Sequence, residues 1–106
     1  MAHHELLREQ NGETVKLHPG DSLVVSLPDN PTTGFRWTVE SFDSGVLEAC
    51  KEDYSTASTA VGGGGERRFC FRAISTGSTV LTLKLWRSWE GDRSVRARFQ
   101  ATVIVT

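Results

Sequence analysis

The chain has no long hydrophobic run and no marked excess of either charge. Its longest uninterrupted apolar stretches are a few residues, whereas a membrane-spanning helix needs about 20. The 12 Lys and Arg residues nearly balance the 13 Asp and Glu residues, so the net charge is −1. Nucleic acids and acidic membrane surfaces attract proteins through a positive field, and the balance therefore argues against a general binder of either. At 106 residues we expect a single soluble domain with a modest core.

Cysteine and histidine are also scarce. The two cysteines, Cys50 and Cys70, are too few for a disulfide-stapled scaffold, and their spacing matches no zinc motif. We expect two free thiols, with a disulfide between them left open. His18 is the single histidine outside the first four residues, so a catalytic serine or cysteine would have just one candidate base. The sequence therefore predicts no enzyme, no metal site and no cofactor.

The first residues contain no secretory signal, because no basic start is followed by an apolar stretch of roughly 7–15 residues. The periplasm, the cytoplasm and secretion all stay open as locations. We expect residues 1–12 to form an N-terminal arm, partly tag-derived or disordered, with His3 and His4 as a tag remnant or a solvated end. Residues 5–10 resemble a helix of less than two turns, which is marginal on its own.

From about residue 14 onward, apolar and polar residues alternate with the period of two that is typical of β-strands. Turn residues such as those at 18–21 separate the strands. About seven or eight short strands in a chain of this size predict an all-β fold, an immunoglobulin-like antiparallel β-sandwich formed by residues 13–106. The expected strands cover 15–17, 22–27, 35–39, 46–54, 67–73, 79–86 and 95–105.

Two segments between strands are rich in residues that fix or free the backbone. In residues 28–34, Pro31 restricts its own φ and that of its neighbour, while Gly34 is free to take a positive φ. This composition predicts a stiff loop that projects small hydroxyl side chains. Residues 55–65 end in four glycines, but neither a following Lys-Ser/Thr nor a helix supports a phosphate site. The glycines favour either a flexible hairpin tip or a bare backbone that a partner approaches closely.

A third segment, residues 86–93, combines two tryptophans with an arginine beside a glycine turn. Trp86 lies at a strand end, where packing explains it. Trp89 lies in the loop itself, where no core is expected. Exposed tryptophan and arginine dominate the energetics of many protein–protein interfaces, so this segment predicts a binding surface.

Together the three segments resemble a known family. The residues that carry the resemblance are Asn30-Pro31-Thr32-Thr33-Gly34-Phe35 with Trp37, then Gly62 to Gly65, then Arg87-Ser88-Trp89. In this order and spacing they resemble the chagasin family, whose members inhibit papain-like cysteine proteases, and the likeness runs from Val15 to the C-terminus. The sequence departs from the family pattern at Ser88, where proline is typical.

The resemblance implies an immunoglobulin-like sandwich that blocks a protease active site reversibly and without a covalent bond. The first segment would enter the cleft, with Thr32 and Thr33 nearest the catalytic dyad, and the other two would grip it from either side. The implied partner is a protease of the papain or cathepsin L type, bound tightly by a monomer. The implied protease-binding residues are Asn30, Pro31, Thr32, Thr33, Gly34, Phe35, Gly62, Gly63, Gly64, Gly65, Arg87, Ser88 and Trp89.

An alternative from another class is an immunoglobulin-like module that binds a non-protease surface protein or a carbohydrate. Trp89 would serve either function. The Thr32-Thr33 tip between Pro31 and Gly34 favours the inhibitor, because a carbohydrate platform has no need of a stiff projecting loop.

Overall fold

The computed structural model describes residues 3–29, 34–56 and 65–106 and contains two four-stranded β-sheets. In the first sheet the strand order is β1-β3-β6-β5, and in the second it is β2-β8-β7-β4. The strands are β1 (His3–Leu7), β2 (Thr14–Leu17), β3 (Ser22–Asp29), β4 (Arg36–Ser41), β5 (Leu47–Thr56), β6 (Gly65–Ala73), β7 (Gly77–Trp86) and β8 (Ala97–Val105).

The pairing within each sheet is antiparallel except at one edge. β1 runs parallel to β3, and β2 runs parallel to β8. The remaining neighbours are antiparallel: β3 with β6, β5 with β6, β4 with β7 and β7 with β8. The immunoglobulin-like β-sandwich predicted from the alternation is confirmed.

The core lies between the sheets, and buried side chains follow the period of two most regularly along β6 and β8. Leu23, Val25 and Leu27 of β3 are fully buried. Of the two residues between them, Ser26 is also buried and Val24 is less so. Phe71 of β6 meets Phe42 edge to face, with 5.5 Å between the ring centroids. The other buried apolar residues are Leu6, Leu17, Trp37, Val46, Leu47, Phe69, Ala73, Leu81, Leu83, Phe99, Ala101, Val103 and Val105. Removing these side chains from water is the main source of the stability of the sandwich.

The prediction of a helix at residues 5–10 is wrong. His3–Leu7 forms strand β1, and only Arg8–Gln10 is helical, as a single 3-10 turn. The reason is tertiary: Leu6 is 3% exposed in the core, and the backbone of β1 pairs with the edge of β3. The division of the chain into an arm of residues 1–12 and a domain of residues 13–106 stays a prediction. No helix in the described part of the chain is long and apolar enough to cross a membrane.

Candidate functional site

Strand pairing brings the borders of the three predicted segments to one end of the sandwich. We call residues 30–35 the first loop, 57–64 the second loop and 87–96 the third loop. Asp29, just before the first loop, pairs with Gly65, which also pairs with Thr56 just before the second loop. Arg36, just after the first loop, pairs with Trp86, just before the third. The first loop therefore connects the two sheets, and the residues that flank it pair with those that flank the second loop in the first sheet and the third loop in the second.

A hydrogen bond between the sheets lies beneath the first loop. Trp37 of β4 is 5% exposed, and its indole Nε1 donates to the carbonyl oxygen of Pro28 in β3 at 2.9 Å. The bond satisfies the polar atom of a buried tryptophan. It also joins the two strands from which the first loop leaves and to which it returns.

Seven of the predicted site residues lie outside the described residues: Asn30, Pro31, Thr32, Thr33, Gly62, Gly63 and Gly64. The structure does place the other six. Gly65 is buried as the first residue of β6, paired with a strand on either side, so its backbone belongs to the sheet. The remaining five lie where the first and third loops meet: Gly34, Phe35, Arg87, Ser88 and Trp89.

Gly34 lies directly against Trp89. Its φ is +78°, in the left-handed region that favours glycine. A Cβ at this position would lie 2.9 Å from Cη2 and 3.3 Å from Cζ2 of Trp89. The Trp89 side chain is nevertheless 70% exposed. Glycine at position 34 thus allows both the turn of the chain and the position of a large aromatic ring that is open to a partner.

Phe35 contacts two arginines of the third loop. The guanidinium carbon of Arg87 is 4.4 Å from the centroid of the phenyl ring, and that of Arg96 is 4.7 Å away. A cation this close to an aromatic ring is attracted by it, typically by about 0.5–1 kcal/mol at a partly exposed position. Arg87 also forms an ion pair with Glu90 at 3.2 Å. These contacts join the first loop to the third.

The third loop consists of two consecutive 3-10 turns, Ser88–Glu90 and Asp92–Ser94, joined by Gly91 at φ +77°. The Ser94 hydroxyl closes the loop on itself. Its Oγ accepts from the Arg87 N–H at 3.0 Å and lies 2.9 Å and 2.7 Å from the carbonyl oxygens of Arg87 and Gly91, to one of which it donates. Ser94 therefore stabilises the loop conformation without belonging to the predicted site.

The outer face of the second sheet supports the base of the third loop. Trp86 donates from Nε1 to the Thr38 hydroxyl at 3.1 Å, so it packs on the sheet surface. The Lys84 ammonium lies 3.6 Å from the centroid of the Trp86 indole and 3.1 Å from the carboxylate of Asp92. This row of contacts holds the second 3-10 turn against β7.

Sequence reasoning missed Lys84, Asp92, Ser94 and Arg96 as supporting residues. Arg96 meets Phe35 only because the strands bring distant positions together. Ser94, by contrast, bonds within its own loop, and Asp92 pairs with Lys84 eight residues before it. One local signal was present, since a serine after Gly91 and Asp92 is typical of a turn that a hydroxyl closes. Within the described residues, no three His, Cys, Asp or Glu side chains are grouped as metal ligands would be.

Comparisons with known proteins show what the chain is similar to. The model of the chagasin family peptidase inhibitors, I42, matches residues 16–103. Chagasin from Trypanosoma cruzi is 30% identical over 104 residues, which cover 91% of this chain and 92% of that protein. The crystal structure of the cysteine protease inhibitor EhICP2 from Entamoeba histolytica superposes with a TM-score of 0.90 at 22% identity, covering 100% of this chain and 97% of that one.

A second solved structure shares the fold at lower identity. PbICP-C, in its complex with falcipain-2, has a TM-score of 0.67 at 14% identity and covers 100% of both chains. The fold is thus common to inhibitors whose sequences have diverged widely. Because the family model spans most of its length, the chain belongs to the chagasin family of peptidase inhibitors.

Proposed function

We propose that the protein inhibits papain-like cysteine proteases by placing its first loop in the active-site cleft while the second and third loops bind the walls of the cleft. The inhibition is reversible and forms no covalent bond. The observation that carries the proposal is that the three loops all leave the same end of the sandwich. The pairs Asp29–Gly65, Thr56–Gly65 and Arg36–Trp86 set their borders at one end of a rigid sandwich.

The junction of the first and third loops supports a preorganised binding surface. Gly34 and Phe35, the last two residues of the first loop, contact Trp89, Arg87 and Arg96 of the third loop. Within the third loop, the Ser94 hydroxyl bonds to the backbone of Arg87 and Gly91. A loop already held in its bound shape loses little conformational entropy on binding. Inhibitors of this kind change shape little between the free and the bound state, and they bury on the order of 1,600 Å² in total.

We assign different roles to the residues of the third loop. Trp89, at 70% exposure, is the side chain that contacts the protease, because large exposed aromatic rings dominate such interfaces. Arg87 lies on Phe35 and pairs with Glu90, so it holds the loops together. Ser88 begins the first 3-10 turn and presents its small side chain beside Trp89.

The roles of the remaining site residues follow the family resemblance. Thr32 and Thr33 lie nearest the catalytic dyad of the protease, between Pro31, which restricts the backbone, and Gly34, which allows it to turn. Gly62, Gly63 and Gly64 offer backbone groups to the other wall of the cleft. The relatives support this assignment, because EhICP2 is a cysteine protease inhibitor and PbICP-C was solved bound to falcipain-2.

The experiment that tests the proposal is a titration of active papain with the purified protein, followed by residual hydrolysis of a small peptide substrate. We expect a stoichiometric loss of papain activity and no effect on trypsin, a serine protease, in parallel. Thr32→Ala should weaken the inhibition and leave the melting temperature unchanged. Full activity of both papain and a cathepsin L-type enzyme at micromolar protein would contradict the proposal and favour a module that binds a non-protease partner.

A further inference from the structure

The two cysteines face each other across neighbouring strands. In the β5–β6 pair, Ala49 lies opposite Phe71 and Glu52 lies opposite Phe69, with a register shift between them. Residues 50 and 51 of β5 therefore oppose the single residue Cys70 of β6, which is the arrangement of a β-bulge. Strand pairing thus brings Cys50 beside Cys70, although the sequence separates them by a whole loop.

Both thiols lie on the outer face of the first sheet. Phe69 and Phe71 on either side of Cys70 are 3% and 1% exposed, so alternation along β6 turns Cys70 away from the core. Cys70 is half-buried and Cys50 is exposed, and both are free thiols. An oxidant in solution can therefore reach Cys50 directly.

The surroundings of the pair agree with direct contact between the thiols. Partial desolvation by its neighbours raises the pKa of the exposed Cys50 thiol, and the Cys70 thiol raises it further. An ion pair between Arg72 and Glu48 borders the thiols on the same face; its guanidinium lowers the pKa of Cys50 and its carboxylate raises it. Regular antiparallel pairs have Cα atoms about 4.5–5.5 Å apart, close to the 4.4–6.8 Å usual for disulfides. The bulge keeps Cys50 as one of the two residues that lie across from Cys70.

We propose that Cys50 and Cys70 are a redox-modification site and form an intramolecular disulfide on reaction with a low-molecular-weight disulfide such as oxidised glutathione. The Cys50 thiolate attacks one sulfur of the oxidant, which gives a mixed disulfide and releases one glutathione thiolate. The Cys70 thiolate then attacks the Cys50 sulfur and releases the second glutathione. Two protein thiols lose two electrons in total, one oxidised glutathione gains them, and the two protons end on the released glutathione thiols.

The disulfide would close the hairpin that carries the second loop. β5 leads into residues 57–64 and β6 leads out of them, and β5 is an edge strand with a single neighbour in its sheet. A covalent link between the two strands prevents that edge strand from separating. Closing a loop of roughly 20 residues also restricts the unfolded chain, which stabilises the folded state.

The direct test is to treat the fully reduced protein with excess oxidised glutathione under native conditions and to follow thiol content and mass. We expect two free thiols to fall to none, with a loss of two hydrogens, no retained glutathione and a monomer on non-reducing gels. Cys70→Ser should instead retain one glutathione at Cys50. A wild-type chain that stays reduced, keeps bound glutathione or forms disulfide-linked dimers would overturn the proposal.

Two further measurements separate native geometry from simple proximity along the chain. Oxidation should raise the melting temperature of the wild type on the order of 10 °C, with no change in a Cys50→Ser/Cys70→Ser double variant. In 8 M urea as the unfolding medium, closure of the mixed disulfide should slow by about tenfold or more, because a flexible chain gives only millimolar effective concentration. Equal closure rates in folded and unfolded chains would show that the bulge does not position the thiols. None of these readouts involves a protease, so their outcome does not depend on whether the protein inhibits one.

Discussion

Trp89 occupies the space that a side chain at position 34 would need. The distance from an added Cβ to Cη2 of the ring is 2.9 Å, and Gly34 has a φ of +78°. The exit of the first loop and the aromatic residue of the third loop are thus fitted to each other, and a side chain added at position 34 would have to move Trp89.

Replacing Gly34 by alanine should weaken protease inhibition. The new methyl group would displace Trp89, and the left-handed backbone conformation would cost alanine about 1–2 kcal/mol. We expect an inhibition constant raised by about tenfold or more. Gly12→Ala is the matched control, because Gly12 has a φ of +90° but nothing within 4 Å of an added Cβ. It should lower the melting temperature similarly and leave inhibition unchanged; equal inhibition by both variants would contradict the fit between the loops.

Trp89→Ala should reduce affinity for papain by about 2 kcal/mol or more, as truncation of an aromatic hot spot does. The side chain is 70% exposed, so its removal should leave the unfolding free energy nearly unchanged. Val80→Ala is the control, since Val80 is an exposed apolar residue, at 50%, on the same sheet but away from the loops. An unchanged inhibition constant for Trp89→Ala would show that Trp89 does not contact the protease.

Phe35 and Arg96 should be energetically coupled. A double-mutant cycle with Phe35→Leu and Arg96→Met, measured by urea unfolding, should give a coupling of about 0.5–1 kcal/mol for the ring–guanidinium contact. Arg93→Met in place of Arg96→Met provides the comparison, because Arg93 is an exposed arginine of the same loop. A coupling of the same size with Arg93 would mean that the effect is not specific to the 4.7 Å contact.

Ser88→Pro should stabilise the protein. Ser88 is the first residue of a 3-10 turn, and Arg87 before it is extended, with φ −101° and ψ 108°, as the residue before proline prefers. The hydrogen bonds that close the turn are donated by Glu90 and Gly91, so proline removes neither. We expect a gain of about 0.4–1 kcal/mol in unfolding free energy with inhibition retained. Ser88→Ala should show no such gain, and a lower melting temperature for Ser88→Pro would contradict the geometry.

Cys50 should react slowly with iodoacetamide at neutral pH. Partial desolvation and the Cys70 thiol raise its pKa, so a smaller fraction is thiolate than for an ordinary cysteine. The alkylation rate should therefore continue to rise with pH above the usual midpoint. Cys70→Ser removes one of these causes and should shift the rate profile of Cys50 to lower pH. Peptide mass mapping of the alkylated chain measures both. A shift to higher pH in the variant would contradict the assigned cause.

The strands and the identity of the loops could be predicted because both depend on local patterns. Alternation along β6 separates the buried Phe69 and Phe71 from Cys70, which is half-buried on the outer face. The prediction of a helix at β1 failed for a different reason. Leu6 is buried because β1 pairs with β3, and β3 is too far along the chain to appear in the local pattern. Likewise, Arg96 supports the site through a contact with Phe35 that only the folded sheets bring near. The prediction of an inhibitor rather than an enzyme agrees with the family to which the chain belongs.

The direction of the edge strands also determines how the molecule can be attached to something else. β1 starts at His3 opposite Ser22, and β8 ends at Val105 opposite Gly77. Because β3 and β7 both run from those positions toward the loops, the first described residue and the last strand end lie at the far end of the sandwich. A tether, a fusion partner or a solid support joined at either place would leave the three loops facing solution, with the length of the sandwich between the anchor and the bound enzyme.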